Sequence, residues 1–208
     1  MRLLFDIESD NYLEHMTVIH CIVTENVDTG EIKKYRPNEI KLGLKSLQDA
    51  TVLIGHNILD FDLRAIKKIY PKWSYTGKVY DTLIAAKICF PDIKSRDFRQ
   101  LRSVMNKTKD QRTEIESKRM ANIGKHSLEA YGLRMGCHKG TFGKEVGFDV
   151  YSEEMLEYCA QDVTVNTKLF HRLESEEISQ TALDTEHESQ RICLAQTEKG
   201  FNFNLDKA

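Results

Sequence analysis

The first quarter of the chain is a series of short apolar segments separated by turn residues, and their order limits the folds open to it. Strand composition is found at residues 2–7, 17–24, 31–36 and 51–55. The Asp-Thr-Gly at 28–30 suits a hairpin between the second and third of these segments. A predicted helix over 38–49 then separates the third segment from the fourth, which has the composition of a buried strand.

The rest of the chain has mainly helical patterns. Asp81 suits the cap of a helix that follows a short strand at 79–82, and Ser152 suits the cap of a long helix through about Glu174. The other predicted helices are residues 60–69, 126–136 and 179–199, the last of them ending at Gly200. This order of elements predicts an α/β fold in which a mixed sheet is flanked by helices.

Residues 91–125 break this order, because they are polar, basic and without sustained apolar periodicity. A long loop is expected there, and loops of that length are usually functional or mobile. From Lys94 to Lys125 the chain has ten lysines and arginines against four acidic residues, whereas residues 172–208 have four against eight. This asymmetry favours a surface that faces a polyanion, although a solvated surface loop explains the charge count equally well.

Length and composition fit a soluble globular protein with one full domain. The 208 residues can bury a sizeable core, and no apolar run approaches the roughly 20 residues of a membrane span. An acid with a candidate function stands at position 6, so we expect no signal peptide. The five cysteines are odd in number and form no Cys-x-x-Cys pair, which favours a reduced, cytoplasmic setting.

Four acidic residues lie at or beside predicted apolar elements, in positions that suit a shared metal site. They are Asp6, Glu8, Asp62 and Asp162. The first two share a face of the first strand, since strand side chains alternate, and Asp162 shares a helix face with Tyr158. Carboxylates suit Mg²⁺ or Mn²⁺, and two such ions about 3.5–4 Å apart can hold the attacking and leaving oxygens of a phosphoryl displacement. A tyrosine hydroxyl beside them could orient the attacking water.

Each of these motifs has a structural explanation that the residues alone do not exclude. Asp-x-Glu at a strand end is commonly a solvated edge, and Tyr-x-x-x-Asp occurs in helices by chance. His56 and Asn57 could form a turn in which Asn57 tolerates an unusual backbone conformation or caps the next helix. Asp60 competes with Asp62, since spacing alone does not decide which of them faces the site. For His126, capping or packing explains the pattern at least as well as a substrate contact.

The ordered set of acids resembles the three motifs of the DEDDy 3′-to-5′ exonucleases, a superfamily with the ribonuclease H-like fold. The matching motifs are DIE at 6–8, HN-xxxx-D at 56–62 and YxxxD at 158–162. Longer stretches, among them YDTLIAAKI and EYCAQDVTVNTKLF, are similar to the proofreading domain of family-A DNA polymerases, above all the replicative polymerases of T-seven-type bacteriophages. Glu157 stands where a DEDDh member would have a histidine, so the tyrosine branch is favoured.

The resemblance implies a role for each matching position. Asp6 corresponds to the acid that bridges two metal ions, which would be Mg²⁺ or Mn²⁺. Glu8 and Asp162 correspond to the remaining ligands of the ion that activates water. Asp62 corresponds to the acid of the second ion, because it stands six residues after the histidine, as in the family. Tyr158 corresponds to the tyrosine that positions the water.

Contacts with the 3′ end of single-stranded DNA are implied as well. Asn57, next to His56, falls where the family holds the terminal nucleotide, and Leu13 falls near the apolar side chain that wedges against the last base. The basic segment 91–125 would contact phosphates. Its candidate residues are Arg96, Arg99, Arg102, Lys107 and Arg112. Lys139 also lies in a stretch that is similar to the family.

The resulting hypothesis is a metal-dependent 3′-to-5′ exodeoxyribonuclease that releases nucleoside 5′-monophosphates from single-stranded or frayed DNA and proofreads for a family-A polymerase. Residues 1–175 would form the exonuclease domain, with its basic loop at 91–125. Residues 176–208 would form a C-terminal helix and the start of a junction to a polymerase domain, in the same chain or in a separate subunit. The alternatives are an exoribonuclease of the same fold and a non-catalytic module that docks a polymerase or DNA. No membrane is expected among the partners.

Overall fold

The computed structural model describes residues 1–137 and 147–200, and a five-stranded mixed sheet lies at their centre. Its strands are β1 (Arg2–Ser9), β2 (Ile19–Asn26), β3 (Glu31–Tyr35), β4 (Val52–Gly55) and β5 (Lys78–Asp81). Their order in space is β3-β2-β1-β4-β5, in which β1 is antiparallel to β2, β2 is antiparallel to β3, and β1, β4 and β5 are parallel. Every predicted strand is confirmed. The predicted hairpin is also present, and Gly30 provides the positive φ of 75° that its turn requires.

Nine α-helices of the described residues flank the sheet. They are α1 (Ile40–Gln48), α2 (Asp62–Ile69), α3 (Thr82–Cys89), α4 (Ile93–Gln100), α5 (Arg102–Met105), α6 (Glu114–Ala121), α7 (Leu128–Met135), α8 (Glu153–Glu174) and α9 (Gln180–Lys199). The predicted caps are confirmed, since the Asp81 carboxylate accepts a hydrogen bond from the backbone N–H of Leu83 and the Ser152 hydroxyl accepts one from that of Met155.

The two faces of β1 pack against different helices. Leu3, Phe5 and Ile7 point to one face and join the core under α1 and α2. Leu4 points to the other face and packs with Leu156 of α8. Because strand side chains alternate, the residues that follow Leu4 at two-residue spacing, positions 6 and 8, lie on the α8 face. The sheet therefore presents the two acids of β1 to α8.

The prediction of a loop over residues 91–125 is wrong, because this segment contains α4, α5, α6 and a 3₁₀ turn at Lys109–Gln111. These helices are short and bury few apolar side chains, so their sequence has little hydrophobic periodicity. A buried ion pair holds the segment to α7: Asp97 accepts two hydrogen bonds from Arg134, at 2.9 and 2.7 Å. A polar anchor of this kind leaves no apolar pattern in the sequence.

Helix α9 lies against α3 and the end of β5. Leu183 is 3% exposed in a cluster with Ala86 and Leu173, and His187 accepts a hydrogen bond from the backbone N–H of Asp81, at 2.9 Å. The division of the chain at residue 175 stays a prediction. Lys139 and the junction proposed for the C-terminus beyond residue 200 lie outside the described residues.

Candidate active site

Asp6 and Glu8 lie near the carboxyl end of β1, on the face that α8 covers. Oxygen atoms of both carboxylates and the Sγ atom of Cys159 lie within 4.8 Å of one another. The structure therefore brings the two acids of β1 to one point, as their spacing predicts. Two carboxylates at such a separation repel each other unless a cation or a proton is shared between them.

Asp62 is the first residue of α2 and is almost fully buried, at 4% exposure. Burial raises the pKa of its carboxyl well above the ordinary aspartate value, and the negative charge of Asp6 raises it further. The backbone N–H of Ile7 donates a hydrogen bond that offsets part of this effect. Asp60 instead forms a half-exposed ion pair with Arg64, with an O–N distance of 2.9 Å. Of the two aspartates that spacing could not separate, Asp62 is the one beside the acids of β1.

Helix α8 brings Tyr158 and Asp162 to the same face of the sheet. Leu156 and Val163 are fully buried against β1 and β2, and each such burial stabilises the packing by about 1.5–3 kcal/mol. Asp162 is buried at 5% exposure, and Tyr158 is half-buried. The Tyr158 ring meets the ring of Phe148 edge-on, with centroids 6.4 Å apart. All four predicted acids and the tyrosine are thus supplied by β1, α2 and α8.

Cys159 also belongs to this cluster, and it was not among the site residues predicted from the sequence. It is fully buried, and its thiol donates a hydrogen bond to Oδ2 of Asp6, with an S–O distance of 3.6 Å. Burial, contact with Cys21 and the charge of Asp6 raise the pKa of the Cys159 thiol, so it is held as the neutral donor. Its position three residues before Asp162, on the same face of one helix, is the signal that could have identified it.

Asp81 organises the loop between β4 and α2, a role that sequence reasoning did not find beyond its helix cap. It is 1% exposed, and its carboxylate accepts the backbone N–H groups of Asn57 at 3.1 Å and of Leu59 at 3.3 Å. Asn57 has a φ of 61°, in the left-handed region that non-glycine residues seldom adopt. Among the described residues it is the one non-glycine residue with a positive φ. The turn that was one interpretation of Asn57 is therefore present. It fixes this residue five positions before Asp62 in the loop that leads to α2.

His56 is tied to the buried layer between β4, α3 and α8. Its Nδ1 lies 3.0 Å from the hydroxyl of Thr82, which in turn lies 2.7 Å from Oδ1 of Asn166. Because the amide oxygen of Asn166 can only accept, the Thr82 hydroxyl donates to it and accepts from His56. This series of bonds orients the imidazole. The predicted contact of His56 with substrate stays a prediction.

Leu13 lies in the loop that follows β1. Its side chain is half-buried against the core under α1 and α2. Lys68 of α2 donates hydrogen bonds to the backbone oxygens of Leu13 at 2.6 Å and of Glu14 at 2.8 Å, so the loop is fixed to α2. Tyr12, next to it, is 83% exposed. The loop therefore packs Leu13 and Met16 against the core and exposes Tyr12.

The five basic candidates of the segment 91–125 differ in how they are used within the protein. Lys107 pairs with Glu116 at 2.6 Å, and Arg112 donates to the backbone oxygen of Val104 at 3.2 Å. Arg96 pairs with Asp92 at 2.7 Å and covers the ring of Phe90. Arg99 is 70% exposed and 3.8 Å from Asp92, and Arg102 is exposed with no ion pair among the described residues. Arg99 and Arg102 are thus the most accessible of the five.

His126 shares a hydrogen bond of 2.8 Å between its Nδ1 and the hydroxyl of Tyr131. Burial lowers the pKa of His126, and the positive charge of Arg134 lowers it further. The next residue, Ser127, caps α7 with its hydroxyl. These contacts agree with the packing interpretation of His126.

The sheet and its helices form a ribonuclease H-like exonuclease fold, the class that the strand order and the placement of the acids indicate. No family model matches the sequence. The chain is 28% identical to the DNA-directed DNA polymerase of Enterobacteria phage T3 over 97% of its length, and 27% identical to that of Escherichia phage T7 over 96%. It spans 33% of the length of each of these relatives. The predicted resemblance to T-seven-type phage polymerases is confirmed.

Solved structures with the same fold include those of three other proteins. The catalytic core of RRP6 from Trypanosoma brucei matches with a TM-score of 0.57 and 13% identity, over 93% of this chain and 46% of that one. NrnC of Brucella melitensis with bound Mg²⁺ matches with a TM-score of 0.51 and 15% identity, over 94% of this chain and 80% of that one. Escherichia coli RNase D, an exoribonuclease involved in structured RNA processing, matches with a TM-score of 0.51 and 14% identity, over 94% of this chain and 44% of that one. At these identities the likeness defines the fold.

A separate finding concerns membranes. Within residues 1–137 and 147–200, no helix combines the length and the apolar character that crossing a bilayer requires.

Proposed function

We propose that this protein is a metal-dependent 3′-to-5′ exonuclease that removes nucleoside 5′-monophosphates from single-stranded or frayed DNA ends. The observation that carries the proposal is the arrangement of carboxylates around the carboxyl-terminal half of β1. Asp6 and Glu8 have oxygen atoms within 4.8 Å of each other, and the buried Asp62 lies near Asp6. Asp162 is buried on α8, the helix that covers Asp6 and Glu8. Buried carboxylates in contact with one another are costly for a protein unless a cation neutralises them.

The donor set fits divalent metal ions with a preference for oxygen. The carboxylates of Asp6, Glu8, Asp62 and Asp162 would hold two such ions. Bound there, Mg²⁺ or Mn²⁺ would supply an activated water and stabilise the leaving oxygen of an in-line displacement. The raised pKa of Asp62 supports this fit, because burial and the charge of Asp6 disfavour its ionised form and a bound cation would favour it.

The other residues of the site would act on the water and on the strand end. Tyr158, half-buried on α8, would orient the attacking water through its hydroxyl. Asn57, held in its turn by Asp81, and His56 would contact the terminal nucleotide. Leu13 would pack against the last base. The phosphates of the strand would be attracted by the exposed Arg99 and Arg102. Arg96, Lys107 and Arg112 would contribute as well, although their charges are less accessible.

DNA is the proposed substrate because the sequence relatives are DNA-directed DNA polymerases. A polymerase is accordingly the proposed partner, as a further domain or as a separate subunit, with proofreading in the cytoplasm of an infected cell as the biological role. RNA is the competing substrate. RNase D has the same fold and acts on RNA, and NrnC was solved with the dinucleotide pGG.

The test is a gel time course with a 5′-labelled single-stranded DNA and an RNA of the same sequence. Each is incubated with the wild-type protein in Mg²⁺, with chelator, and with the double variant Asp6→Ala/Glu8→Ala. Asp60→Asn serves as the matched control for Asp62→Asn, because both changes remove one negative charge at neighbouring positions of the chain.

A ladder of shortened DNA that requires metal, Asp6 and Glu8 and Asp62, but not Asp60, would support the proposal. Shortening of RNA alone would replace DNA by RNA as the substrate. Binding of DNA without shortening of either strand would favour the docking module instead.

A further inference from the structure

The pairing of β1 with β2 is regular except at one place, which lies beside Glu8. Glu8 is opposite Cys21, whereas the next residue, Ser9, is opposite Ile19. His20 is therefore an extra residue in the β1–β2 ladder, which makes a β-bulge. Bulges are over-represented next to active sites, where they change the direction of a side chain.

The bulge changes the face of the sheet that the side chains of β2 occupy. Cys21 packs in the cluster on the α8 face, whereas Ile19 packs in the cluster on the face of α1 and α2. Residues two positions apart in a regular strand share a face, so this change requires the extra residue. A regular strand would turn His20 away from α8. The bulge instead lets it reach the segment that precedes α8, where it is buried at 6% exposure.

His20 is bonded to the segment that supports Tyr158. Its Nε2 lies 3.0 Å from the backbone oxygen of Phe148. Because a carbonyl oxygen only accepts, Nε2 carries the proton and donates it to this bond. The Phe148 ring meets the Tyr158 ring at an interplanar angle of 70°, with centroids 6.4 Å apart, which is a favourable edge-to-face contact. His20, Phe148 and Tyr158 thus form a continuous series of contacts from the bulge to the site.

We propose that His20 is a positioning residue for Tyr158. By holding the backbone of Phe148, it keeps the Phe148 ring against Tyr158 and so limits where the tyrosine hydroxyl can lie. The inference rests on the proposed function, in which that hydroxyl orients the attacking water. A displacement of about 1 Å in a reacting group can reduce the rate about 100-fold, so a small loosening of this contact would be measurable.

Two variants of His20 test the role of its hydrogen bond. His20→Leu removes the donor and keeps an apolar side chain, whereas His20→Gln keeps an N–H donor of similar reach. We measure kcat and KM on single-stranded DNA for both, in the wild-type protein and in a Tyr158→Phe background. His20→Leu should lower kcat about tenfold or more with little change in KM, and His20→Gln should retain most of the activity.

The Tyr158→Phe background separates positioning from a general structural effect. If His20 acts through the hydroxyl of Tyr158, His20→Leu should have little further effect once that hydroxyl is absent, so the two losses do not add. Losses that multiply fully in the double variant would overturn the proposal. So would a His20→Gln variant as impaired as His20→Leu.

Hydrogen exchange at the backbone amides of residues 147–152 provides a readout that needs no activity. Exchange there should be faster in His20→Leu than in the wild type and in His20→Gln. Unchanged exchange in an active protein would overturn the role of His20 alone. A wild-type protein that shortens no nucleic acid would overturn the proposed function, and the role of Tyr158 with it.

Discussion

At the scale of single residues, the carboxyl of Asp62 has an environment that disfavours its charged form. It is buried, next to Asp6, and only partly compensated by backbone N–H groups. Replacing it by an isosteric amide removes the charge and keeps the shape. Its effect on stability therefore measures how much the site is strained by its own carboxylates.

We expect Asp62→Asn to raise the melting temperature of the metal-free protein at pH 7. Each kcal/mol of relieved repulsion and burial should raise it by about 2–4 °C in a chain of this size. Thermal unfolding in chelator measures the change. Asp60→Asn breaks only a half-exposed ion pair with Arg64 and should have little effect. A lower melting temperature for Asp62→Asn would contradict this account.

The gain from Asp62→Asn should depend on pH. Because the folded protein raises the pKa of Asp62, the wild-type carboxyl favours folding below the ordinary aspartate pKa and loses this contribution as the pH rises through its own raised value. The difference in melting temperature between variant and wild type should therefore be large near pH 7 and vanish near pH 3. A difference that is independent of pH would exclude the carboxyl as its cause.

Divalent ions should reverse the order of stability. If the proposed metal site is correct, added Mn²⁺ should bind the folded wild type and stabilise it by mass action, and a variant that lacks one ligand should gain less. The measurement is the melting temperature as a function of Mn²⁺ concentration for the wild type and Asp62→Asn. Equal gains in the two proteins would mean that Asp62 is not a ligand.

The residues of the candidate site differ in how far the sequence could predict them. Asp6 and Glu8 could be paired because alternation along a strand is strict. Asp60 and Asp62 both fall where a helix begins, so only the structure shows that Arg64 engages the first and Asp6 lies beside the second. Cys159 was missed because a thiol in an apolar stretch is usually core. Its contact with Asp6 depends on how α8 packs across β1.

At the scale of elements, a buried ion pair holds the basic segment to α7. Asp97 and Arg134 have side chains that are 7% and 14% exposed, and they join α4 to α7. Burial alone would raise the pKa of Asp97, but the hydrogen bonds from Arg134 and from the backbone of Gly124 outweigh it and lower the value. The ionised form of Asp97 is therefore the form that holds α4 in place.

We expect Asp97→Asn to destabilise the protein by about 3 kcal/mol, because it leaves the guanidinium of Arg134 buried without its charged partner. Chemical unfolding measures this loss, and proteolysis within 91–125 should become faster. Asp92→Asn breaks an exposed pair with Arg96 in the same helical segment and should cost less than about 1 kcal/mol. Similar losses for the two variants would contradict the role of burial.

The sign of the pH effect at Asp97 is opposite to that at Asp62. A lowered folded pKa contributes stability above the ordinary aspartate pKa, and this contribution is lost as the pH falls through the lowered value.

The strands of the sheet were predictable because apolar runs form them. The helices of 91–125 were not predictable in this way. The ion pair of Asp97 and Arg134, which are distant in sequence, helps to hold them, and such a pair produces no periodic pattern.

At the scale of the whole molecule, the net charge of −2 hides an uneven distribution. Arg99 and Arg102 are exposed on the basic segment, while α9 carries four acidic residues against two basic ones. The basic segment would therefore attract a nucleic-acid strand, and the acidic helix would repel it. Such a field acts on association and on orientation rather than on the fold.

We expect the double variant Arg99→Gln/Arg102→Gln to bind single-stranded DNA more weakly and with a smaller dependence on salt. Each lost phosphate contact should reduce the slope of log K against log salt by about 0.7. Fluorescence anisotropy in chelator measures binding without cleavage. The control is Lys41→Gln, since Lys41 is exposed on α1 without an ion pair among the described residues. An equal effect of this control would assign the binding to net charge alone.

The bonds around Asp81 have a consequence for how the protein can vary. One residue accepts hydrogen bonds from the loop of Asn57 and from the start of α3, and its own backbone N–H is bound by His187 of α9. The loop and the C-terminal helix therefore share an attachment point. A graft that replaced α9 by another sequence would have to restore a hydrogen-bond acceptor for the backbone N–H of Asp81. Without it, the residue that fixes the loop of Asn57 would lose one of its own anchors.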